Sequence, residues 1–361
     1  MMKMAYQIQH LVKLLILITA LWSQSCMEWD YGSVVEDFES GSNGLFICNE
    51  GNFQYSNGTL SYYDPENKSV ENEVFIRANG YRLGDVVQSM TAHGGKGWIV
   101  SNNSHVIFAI DMDTFKEVGR IVGLPSPRYI HFVNDSKAYV TQLWDNRIFI
   151  VDPLKYEISG CIEVPDMDFA SGSTEQMVQY GKYVFCNCWS YQNRIIKIDT
   201  ETDRVVAQLE VGVQPSSLVL DAYNRLWTIT DGGYDGSPAG YEAPSLVCID
   251  ANSFEIEQRF KFHLGETPGR IQINGSRDVL YWINDDVWRM EVTASRLPLR
   301  PFLRSRDTEY YGLTVDPANG DVYVADAIDY QQQGMIYRYN QQGALLDEFY
   351  VGINPGAFCW K

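Results

Sequence analysis

One position recurs seven times along this chain of 361 residues, each time at the end of a short hydrophobic segment. It is Asp in the first five copies, and Glu and Asn replace it in the last two. The copies are Asp64, Asp111, Asp152, Asp199, Asp250, Glu291 and Asn340, and they lie 41 to 51 residues apart. A period in the forties built from strands and turns is typical of a β-propeller, in which each repeat forms one blade. The sequence therefore predicts an all-β fold, a seven-bladed β-propeller.

The segments within one repeat have the length and composition of strands. Between residues 182 and 220, four runs of β-branched or aromatic residues are separated by Gly, Asp, Asn or Pro. Four strands per period is the content of one propeller blade. A Gly-x-x-Pro sequence leads into the last of these runs at 212–215, and it returns at 265–268 and 352–355. Helical periodicity is absent after the first twenty-five residues, which disfavours an α/β fold.

The two ends of the repeat region complement each other. The first repeat starts at residues 44–52 without a Gly-x-x-Pro turn, and residues 354–361 have the sequence of an innermost strand with no further strand after it. We therefore expect the C-terminal strand to complete the first blade. Such closure joins the ends of the ring and removes its exposed strand edges.

The N-terminal segment indicates export. Lys3 and Lys13 precede an apolar run at 14–22, which is too short to span a bilayer but suits a secretory signal. Ser25 directly before Cys26 resembles a bacterial lipoprotein signal, and the alternative is ordinary secretion. We therefore predict a signal peptide over residues 1–25, lipidation of Cys26, a flexible surface tether over 26–42 and the propeller over 43–361. Acidic residues soon after Cys26 resemble the export signal of surface lipoproteins in Bacteroidetes, which implies an outer-membrane, cell-surface location.

Charge and motifs narrow the function. The net charge of −18 disfavours binding to nucleic acid or to anionic membranes. The His residues are scattered over different repeats, and no common catalytic or nucleotide-binding motif occurs. We predict no catalytic residue and no required cofactor, although a propeller can assemble an active site from one residue per blade. Asp231 and Asp235 are the only candidates for a metal ion, calcium, in a Gly-rich loop of a kind that more often forms a simple turn.

Propeller topology brings two sets of loops to one face of the disc. These are the loops between the second and third strands and the loops that lead into the innermost strands. In this chain they carry aromatic and charged residues, whereas the turns on the other face are short and polar. The candidates for ligand binding are Phe53, Tyr55, Arg128, Trp144, Glu175, Trp189, Tyr191, Tyr234, Arg270, Tyr310 and Tyr330.

Exposed rings between Asn, Gln and a few Arg residues predict a shallow site for a large, mostly neutral ligand. Rings supply flat apolar contact, and amides fix the orientation of the ligand by hydrogen bonds. Carbohydrates and corrin-type ligands both fit this description. The alternative is that the rings cap the central channel or pack between neighbouring loops.

Residues 46–72, with the sequence NEGN followed by N-G-x-L-S-Y-x-D, resemble the YncE-like, surface-layer-type propeller lipoproteins of Bacteroidetes. That family includes the BtuG-like proteins, which capture cobalamin. The resemblance implies seven blades, surface capture of a nutrient and delivery to a TonB-dependent outer-membrane transporter, with a corrinoid (cobalamin) as the first candidate ligand. A glycan-binding lipoprotein of a polysaccharide-uptake system is the alternative. An enzyme of the propeller lactonase or lyase type is the third hypothesis, and it requires a metal and acidic or His side chains at the axis.

Overall fold

Short runs of β-branched and aromatic residues form the strands of this protein, and polar turns separate them. The computed structural model describes residues 35–169, 171–305 and 308–361. These residues form seven antiparallel sheets, which are the blades of a propeller. The all-β, seven-bladed fold predicted from the repeat is confirmed.

The first four blades in chain order contain one short helix besides their strands. Blade 1 holds β1 (Leu45–Asn49), β2 (Thr59–Asp64) and β3 (Ser69–Glu71), and α1 (Val74–Asn79) follows it. Blade 2 consists of β4 (Val87–His93), β5 (Lys96–Ser101), β6 (Val106–Asp111) and β7 (Glu117–Val122). Blade 3 consists of β8 (Pro127–Asn134), β9 (Lys137–Gln142), β10 (Arg147–Asp152) and β11 (Glu157–Glu163). Blade 4 consists of β12 (Thr174–Tyr180), β13 (Tyr183–Cys188), β14 (Arg194–Asp199) and β15 (Arg204–Glu210).

The remaining strands complete the ring. Blade 5 consists of β16 (Pro215–Leu220), β17 (Arg225–Thr230), β18 (Ser245–Asp250) and β19 (Glu255–Lys261). Blade 6 consists of β20 (Gly269–Ile273), β21 (Val279–Asn284) and β22 (Asp286–Glu291). Blade 7 consists of β23 (Tyr310–Val315), β24 (Val322–Asp326), β25 (Gln333–Tyr339) and β26 (Leu345–Ile353), and the chain ends with β27 (Pro355–Trp360).

The C-terminal strand closes the ring as predicted. β27 pairs antiparallel with β1, with Leu45 opposite Trp360 and Phe46 opposite Cys359. The first sheet therefore has the order β27-β1-β2-β3, and its innermost strand comes from the other end of the chain. β27 contacts the innermost strands of both neighbouring blades, β4 and β23. The two ends of the chain are therefore joined in one blade.

The recurring Asp is a turn residue. Oδ1 of Asp111 accepts hydrogen bonds from the backbone N–H groups of Asp113 and Thr114, at 3.1 and 2.9 Å. The same pattern, a side-chain oxygen accepting from backbone N–H groups two to four residues further on, occurs at Asp64, Asp152, Asp199, Asp250 and Asn340. Each of these residues ends the third strand of its blade or follows it directly. The repeat therefore marks one face of the disc.

Blade 6 departs from the predicted four strands. Its third strand, β22, ends at the degenerate copy Glu291, and the described residues that follow form one isolated bridge, between Val287 and Leu303. Pro298 and Pro301 lie in this segment. Proline has no backbone N–H to donate to a strand ladder, so a regular fourth strand does not form there.

The helix α1 was also missed by the periodicity argument. It is only six residues long, and its buried face consists of Val74, Phe75 and Ala78. Gly80 caps its C-terminal end, with a φ of 78° in the left-handed region that favours glycine. No helix in the described part of the chain is long and apolar enough to cross a membrane.

Apolar side chains pack between neighbouring blades. The cluster around Trp98 joins Val100 and Ile107 of blade 2 to Ile130 and Val140 of blade 3. Burying an aliphatic side chain of this kind contributes about 1.5–3 kcal/mol. The core is therefore distributed around the ring, as expected for a repeat architecture.

Residues 36–42, which the sequence analysis assigned to the tether, contact the propeller. Glu36 forms an ion pair with Arg77 at 2.6 Å, and the Phe38 ring lies 5.2 Å from the ring of Phe115. The backbone N–H of Ser40 donates to the carbonyl of Asp113 at 3.0 Å. The predicted signal peptide and the predicted lipidation site, Cys26, lie outside the described residues.

Candidate functional site

Each innermost strand begins with an irregularity in its pairing to the second strand. In blade 2, for example, Val87 pairs with Ser101 but Ser89 pairs with Val100, so one extra residue lies between the two pairs. The other six blades show a shift at the same place. Such β-bulges change the direction of a side chain and are frequent next to binding sites. The residues that directly follow the first pair are Gln88, Arg128, Glu175, Ser216, Arg270, Tyr311 and Gly356, and we call them the bulge ring.

Five residues of the bulge ring line a pocket at the mouth of the central channel: Arg128, Glu175, Ser216, Arg270 and Tyr311. The pocket has a volume of about 340 Å³. Its lining includes Arg128, Tyr129, Glu175, Trp189, Ser216, Asp231, Arg270, Tyr310 and Tyr311. A second cavity of about 110 Å³ is lined by residues of the innermost strands and shares Tyr129 and Arg270 with the first. Arg270 and Tyr129 therefore lie at the boundary between the mouth and the interior of the channel.

The structure divides the candidate residues into two groups. Five of them line the pocket: Arg128, Glu175, Trp189, Arg270 and Tyr310. The other six are exposed rings outside it, with between 41% and 76% of their surface accessible: Phe53, Tyr55, Trp144, Tyr191, Tyr234 and Tyr330. The two groups lie on the same face because they occupy the loops that propeller topology places there.

Three of the exposed rings are carried by strained backbone. Trp144, Tyr191 and Tyr330 have φ values of 55°, 54° and 62°. Residues other than glycine rarely adopt this left-handed region, and doing so costs about 1–2 kcal/mol. Strain of this kind persists where the surrounding structure holds it, and it is concentrated at functional sites. The loops therefore hold these three residues in an unfavourable conformation that leaves their rings accessible.

Tyr330 links the exposed rings to the pocket. Its hydroxyl donates to Glu309 Oε1 at 2.8 Å, and its ring lies edge-on to that of Tyr311, with centroids 5.7 Å apart. The side-chain N–H of Asn52 donates to the backbone carbonyl of Tyr330 at 2.6 Å. Burial, followed by the nearby Glu309 carboxylate, raises the pKa of Tyr330 to about 12. The phenol therefore remains protonated and available as a hydrogen-bond donor at neutral pH.

Arg128 and Glu175 form an ion pair within the bulge ring. Nε of Arg128 donates to both carboxylate oxygens of Glu175, at 3.1 and 3.0 Å, and Nη1 donates to Oε1 of Gln88. Only 4% of the Glu175 side chain is accessible. Burial lowers the pKa of Arg128, but Glu175, together with Tyr129 and Glu50, raises it overall. Arg128 therefore stays charged, and the pair joins blade 3 to blade 4 across the mouth of the channel.

Glu50, from the NEGN segment, reaches the same region from blade 1. It accepts a hydrogen bond from the hydroxyl of Tyr311 at 2.7 Å. A Cβ atom on Gly356 would overlap Oε1 of Glu50, so the glycine of the ring leaves the space that this carboxylate occupies. Burial, and then Glu50, raise the pKa of Tyr311 well above its ordinary value. Tyr311 therefore stays a neutral donor.

The calcium candidate Asp231 has protein partners. Oδ2 of Asp231 accepts a hydrogen bond from the indole N–H of Trp189 at 2.8 Å, and the side-chain amide of Gln214 donates to both carboxylate oxygens. Its Oδ1 also accepts from the backbone N–H of Gly233 at 2.8 Å. The described residues contain no group of three or more His, Cys, Asp or Glu that could hold a metal ion. A cation at Asp231, with Asp235 or without it, would have to compete with these donors.

Sequence reasoning missed several residues of this region. Tyr129, Ser216 and Tyr311 line the pocket, Gly356 lines the inner cavity, and Glu50 and Gln88 are hydrogen-bonded to the pocket residues Tyr311 and Arg128. Gln88, Ser216, Tyr311 and Gly356 hold the repeat position that Arg128 and Glu175 also hold. Aligning the repeats on the first residue of each innermost strand would have identified them.

A family model matches most of the chain. It is described as a domain of unknown function, DUF5074, and it matches residues 43–351. No curated protein matches the sequence.

Several solved structures share the fold at low identity. A quinonprotein alcohol dehydrogenase-like protein from Bacteroides thetaiotaomicron is 16% identical, with a TM-score of 0.66 over 90% of this chain and 78% of that chain. The periplasmic gluconolactonase of Pseudomonas aeruginosa is 13% identical, with a TM-score of 0.64 over 88% of this chain and 99% of that chain. Hydrazine synthase from Kuenenia stuttgartiensis is 18% identical, with a TM-score of 0.60 over 75% of this chain and 88% of that chain. At such identities the similarity extends to the fold alone.

Proposed function

This chain belongs to the DUF5074 family, and we propose that its propeller captures a nutrient ligand on the face that carries the bulge ring. The observation that carries the proposal is the set of six exposed rings around a polar, aromatic-lined pocket on one face. Exposed apolar rings grouped on one face of a protein are typical of a binding surface. The pocket supplies guanidinium, carboxylate, hydroxyl and indole groups that can orient that ligand.

We propose a corrinoid as the first ligand to test. A corrinoid is large and flat, and its side-chain amides match a surface of rings and hydrogen-bonding groups. The resemblance of residues 46–72 to the YncE-like propeller lipoproteins, with their BtuG-like subgroup, supports the same choice. The N-terminal sequence supports a lipid anchor at Cys26 on the outer membrane. The protein would then pass its ligand to a TonB-dependent transporter in that membrane.

The proposed role is binding rather than catalysis. The described residues that line the pocket include no His and no Cys. The pocket carboxylates Glu175 and Asp231 accept hydrogen bonds from Arg128 and from Trp189, which occupies them in structural contacts. A lactonase-type activity, the competing hypothesis, would be detected by hydrolysis of gluconolactone and by metal analysis of the purified protein.

Calorimetric titration of the full chain, purified in an uncharged detergent, with cyanocobalamin tests the proposal. We expect saturable binding at micromolar concentrations with one site per chain. Retention on immobilised polysaccharides tests the glycan alternative, because exposed aromatic rings also suit the apolar faces of sugars. Absence of heat with cyanocobalamin, together with retention on a polysaccharide, would replace the corrinoid by a glycan. Absence of both would remove the capture role for these two ligand classes.

A further inference from the structure

Arg270 brings a positive charge to the mouth of the channel. Within the described residues its guanidinium makes no hydrogen bond and no ion pair, and it lies 4.9 Å from the centre of the Tyr311 ring. Its backbone also has a φ of 57°, in the left-handed region. A guanidinium has five N–H donors and stays charged at any physiological pH. These donors are open to whatever enters the pocket.

The second arginine of the bulge ring differs in this respect. Arg128 is neutralised by Glu175, with both carboxylate oxygens within 3.1 Å of Nε. Glu50, the carboxylate whose field reaches Arg270, is hydrogen-bonded to the Tyr311 hydroxyl instead. Burial opposes the charge on Arg270, while Tyr311 and Glu50 favour it, and the pKa of Arg270 is raised overall. Arg270 is therefore the ring cation that remains free for a ligand.

The position of Arg270 gives access to it from the aromatic face. It lines both the outer pocket of about 340 Å³ and the inner cavity of about 110 Å³. The inner cavity is lined partly by the polar side chains of Ser89, Gln176, Gln272 and Thr314. A ligand entering from the face meets the guanidinium before it meets this polar interior. The rings of Trp189, Tyr310 and Tyr311 flank the approach.

We propose that Arg270 binds an anionic group of the captured ligand, either a carboxylate or a phosphate ester. Arginine matches both groups because its parallel N–H donors pair with two oxygens at once. The net charge of −18 repels polyanions, so the ligand carries one such group on a mostly neutral body. This inference rests on the proposed function, since it specifies the ligand of the same face.

Small aromatic probes test the inference without the natural ligand. The full chain in uncharged detergent is titrated with phenyl phosphate, benzoate, phenol and benzyl alcohol. We expect at least one of the anionic probes to bind more tightly than its neutral counterpart. The stronger of phenyl phosphate and benzoate identifies a phosphate ester or a carboxylate as the preferred group.

Three variants locate the effect. Arg270→Gln should weaken binding of the anionic probe by about tenfold or more, because it removes a charged hydrogen-bonding group. Arg270→Lys keeps the charge but loses the paired donors, so its affinity for the anionic probe should lie between those of the unaltered chain and of Arg270→Gln. Arg289→Gln is the matched control, because Arg289 lies away from the pocket and donates to the carbonyl of Gln341 at 2.8 Å. It should bind the probes as the unaltered chain does.

The outcomes separate this inference from the proposed function. Equal affinity for anionic and neutral probes, or unchanged binding in a folded Arg270→Gln variant, overturns the inference. If cyanocobalamin binds equally to the unaltered chain and to that variant, the role of Arg270 is excluded while capture stands. If the anionic probes need Arg270 but cyanocobalamin does not bind, the corrinoid is excluded while the anion site stands. Should Arg270→Gln fail to fold, Arg270→Lys and the comparison of both anionic probes with their neutral counterparts on the unaltered chain decide.

Discussion

The two faces of the propeller lie at opposite ends of the same strands, and the turns and loops on them differ in kind. At one end of the third strands, turns led by Asp or Asn repeat from blade to blade and bind their own backbone N–H groups, as Asp111 and Asp250 do. At the other end, the loops differ from blade to blade and depend on long-range contacts, such as Asn52 to Tyr330 and Trp189 to Asp231. A local turn needs nothing from its neighbours, so it can be repeated. The loops of the other face are therefore the part of each blade that can be specialised.

The bulge ring shows the same contrast within one repeated position. All seven innermost strands have a bulge near their start, yet the ring residues range from arginine to glycine. The backbone irregularity is repeated, and the side chain is not. Arg128 is neutralised by its neighbour in the ring, whereas Arg270 is left open. We therefore regard the turn face as structural and the bulge-ring face as the site of function, and four experiments test this division.

The largest effect should come from removing β27, the C-terminal strand that completes blade 1. Deletion of residues 355–361 removes β27, and with it the pairing to β1 and the contacts to β4 and β23. We expect loss of cooperative folding, a change comparable to the whole stability of a typical domain, about 5–15 kcal/mol. Circular dichroism during thermal unfolding measures it.

Deletion of Lys361 alone is the control for this truncation. Its Nζ donates to Oγ of Ser40 at 2.6 Å and to the carbonyl of Gly41 at 2.9 Å, but the strand ends before it. We expect only a small drop in melting temperature. A chain without residues 355–361 that melts like the unaltered protein would contradict closure by the C-terminal strand.

The next largest effect concerns the exposed rings. Trp144→Ala and Tyr191→Ala should each weaken ligand binding by about 1–2 kcal/mol while leaving the melting temperature unchanged, because these rings are 54% and 41% exposed. Tyr223→Ala is the matched control, since Tyr223 is 59% exposed but lies between the first and second strands of blade 5, on the turn face. Calorimetric titration with the ligand found for the unaltered chain measures the three affinities. Equal losses for Tyr191 and Tyr223 would show that the two faces do not differ in this way.

A substitution on the turn face should have the opposite profile. Asp111→Ala removes the acceptor for two backbone N–H groups and for the hydroxyl of Thr114, so we expect a loss of about 1 kcal/mol in unfolding free energy. Asp111→Asn keeps an Oδ1 acceptor and should lose less. Urea unfolding measures stability, and titration should show unchanged ligand affinity for both variants. Weakened binding in Asp111→Ala without any loss of stability would contradict a purely structural turn.

Most of the fold could be predicted from the sequence because its features are local or periodic. The recurring Asp and the strand runs lie within a few residues of what they determine, and the C-terminal strand, although it pairs with distant β1, follows from the count of strands per repeat. The prediction of four strands in blade 6 was wrong because the repeat was counted from its Asp-like residue, Glu291, without considering Pro298 and Pro301 in the segment that follows. The helix α1 was missed because six residues are too few to establish a helical period.

The site could be predicted only in part, because its geometry joins distant segments. Arg128, Glu175 and Arg270 were identified because they lie where the chain enters an innermost strand, on the face that propeller topology assigns to these entry loops. Glu50 was not identified, because its place in the ring depends on Tyr311 as a donor and on the missing side chain of Gly356, which are more than 250 residues away. Nor does a sequence show that Arg128 is paired and Arg270 is not.

Lowering the pH should give the smallest of the four effects. It should reduce the stability that the turn face contributes but leave ligand binding on the bulge-ring face unchanged. Backbone hydrogen bonds from Thr114 and Ser253 are the first causes that lower the pKa of Asp111 and Asp250. A carboxylate with a lowered folded-state pKa stabilises the fold above its unfolded pKa of about 3.9, and this contribution is lost as pH falls through the folded value. We therefore expect the unfolding free energy to decrease from about pH 5 downwards, and the decrease to be shallower in a variant with both Asp111→Asn and Asp250→Asn. Urea unfolding at a series of pH values measures it. Arg128 and Arg270 stay charged throughout, so a ligand whose own charge does not change between pH 5 and pH 7 should bind with equal affinity at both. A parallel decline of affinity and stability would mean that the turn face also shapes the site.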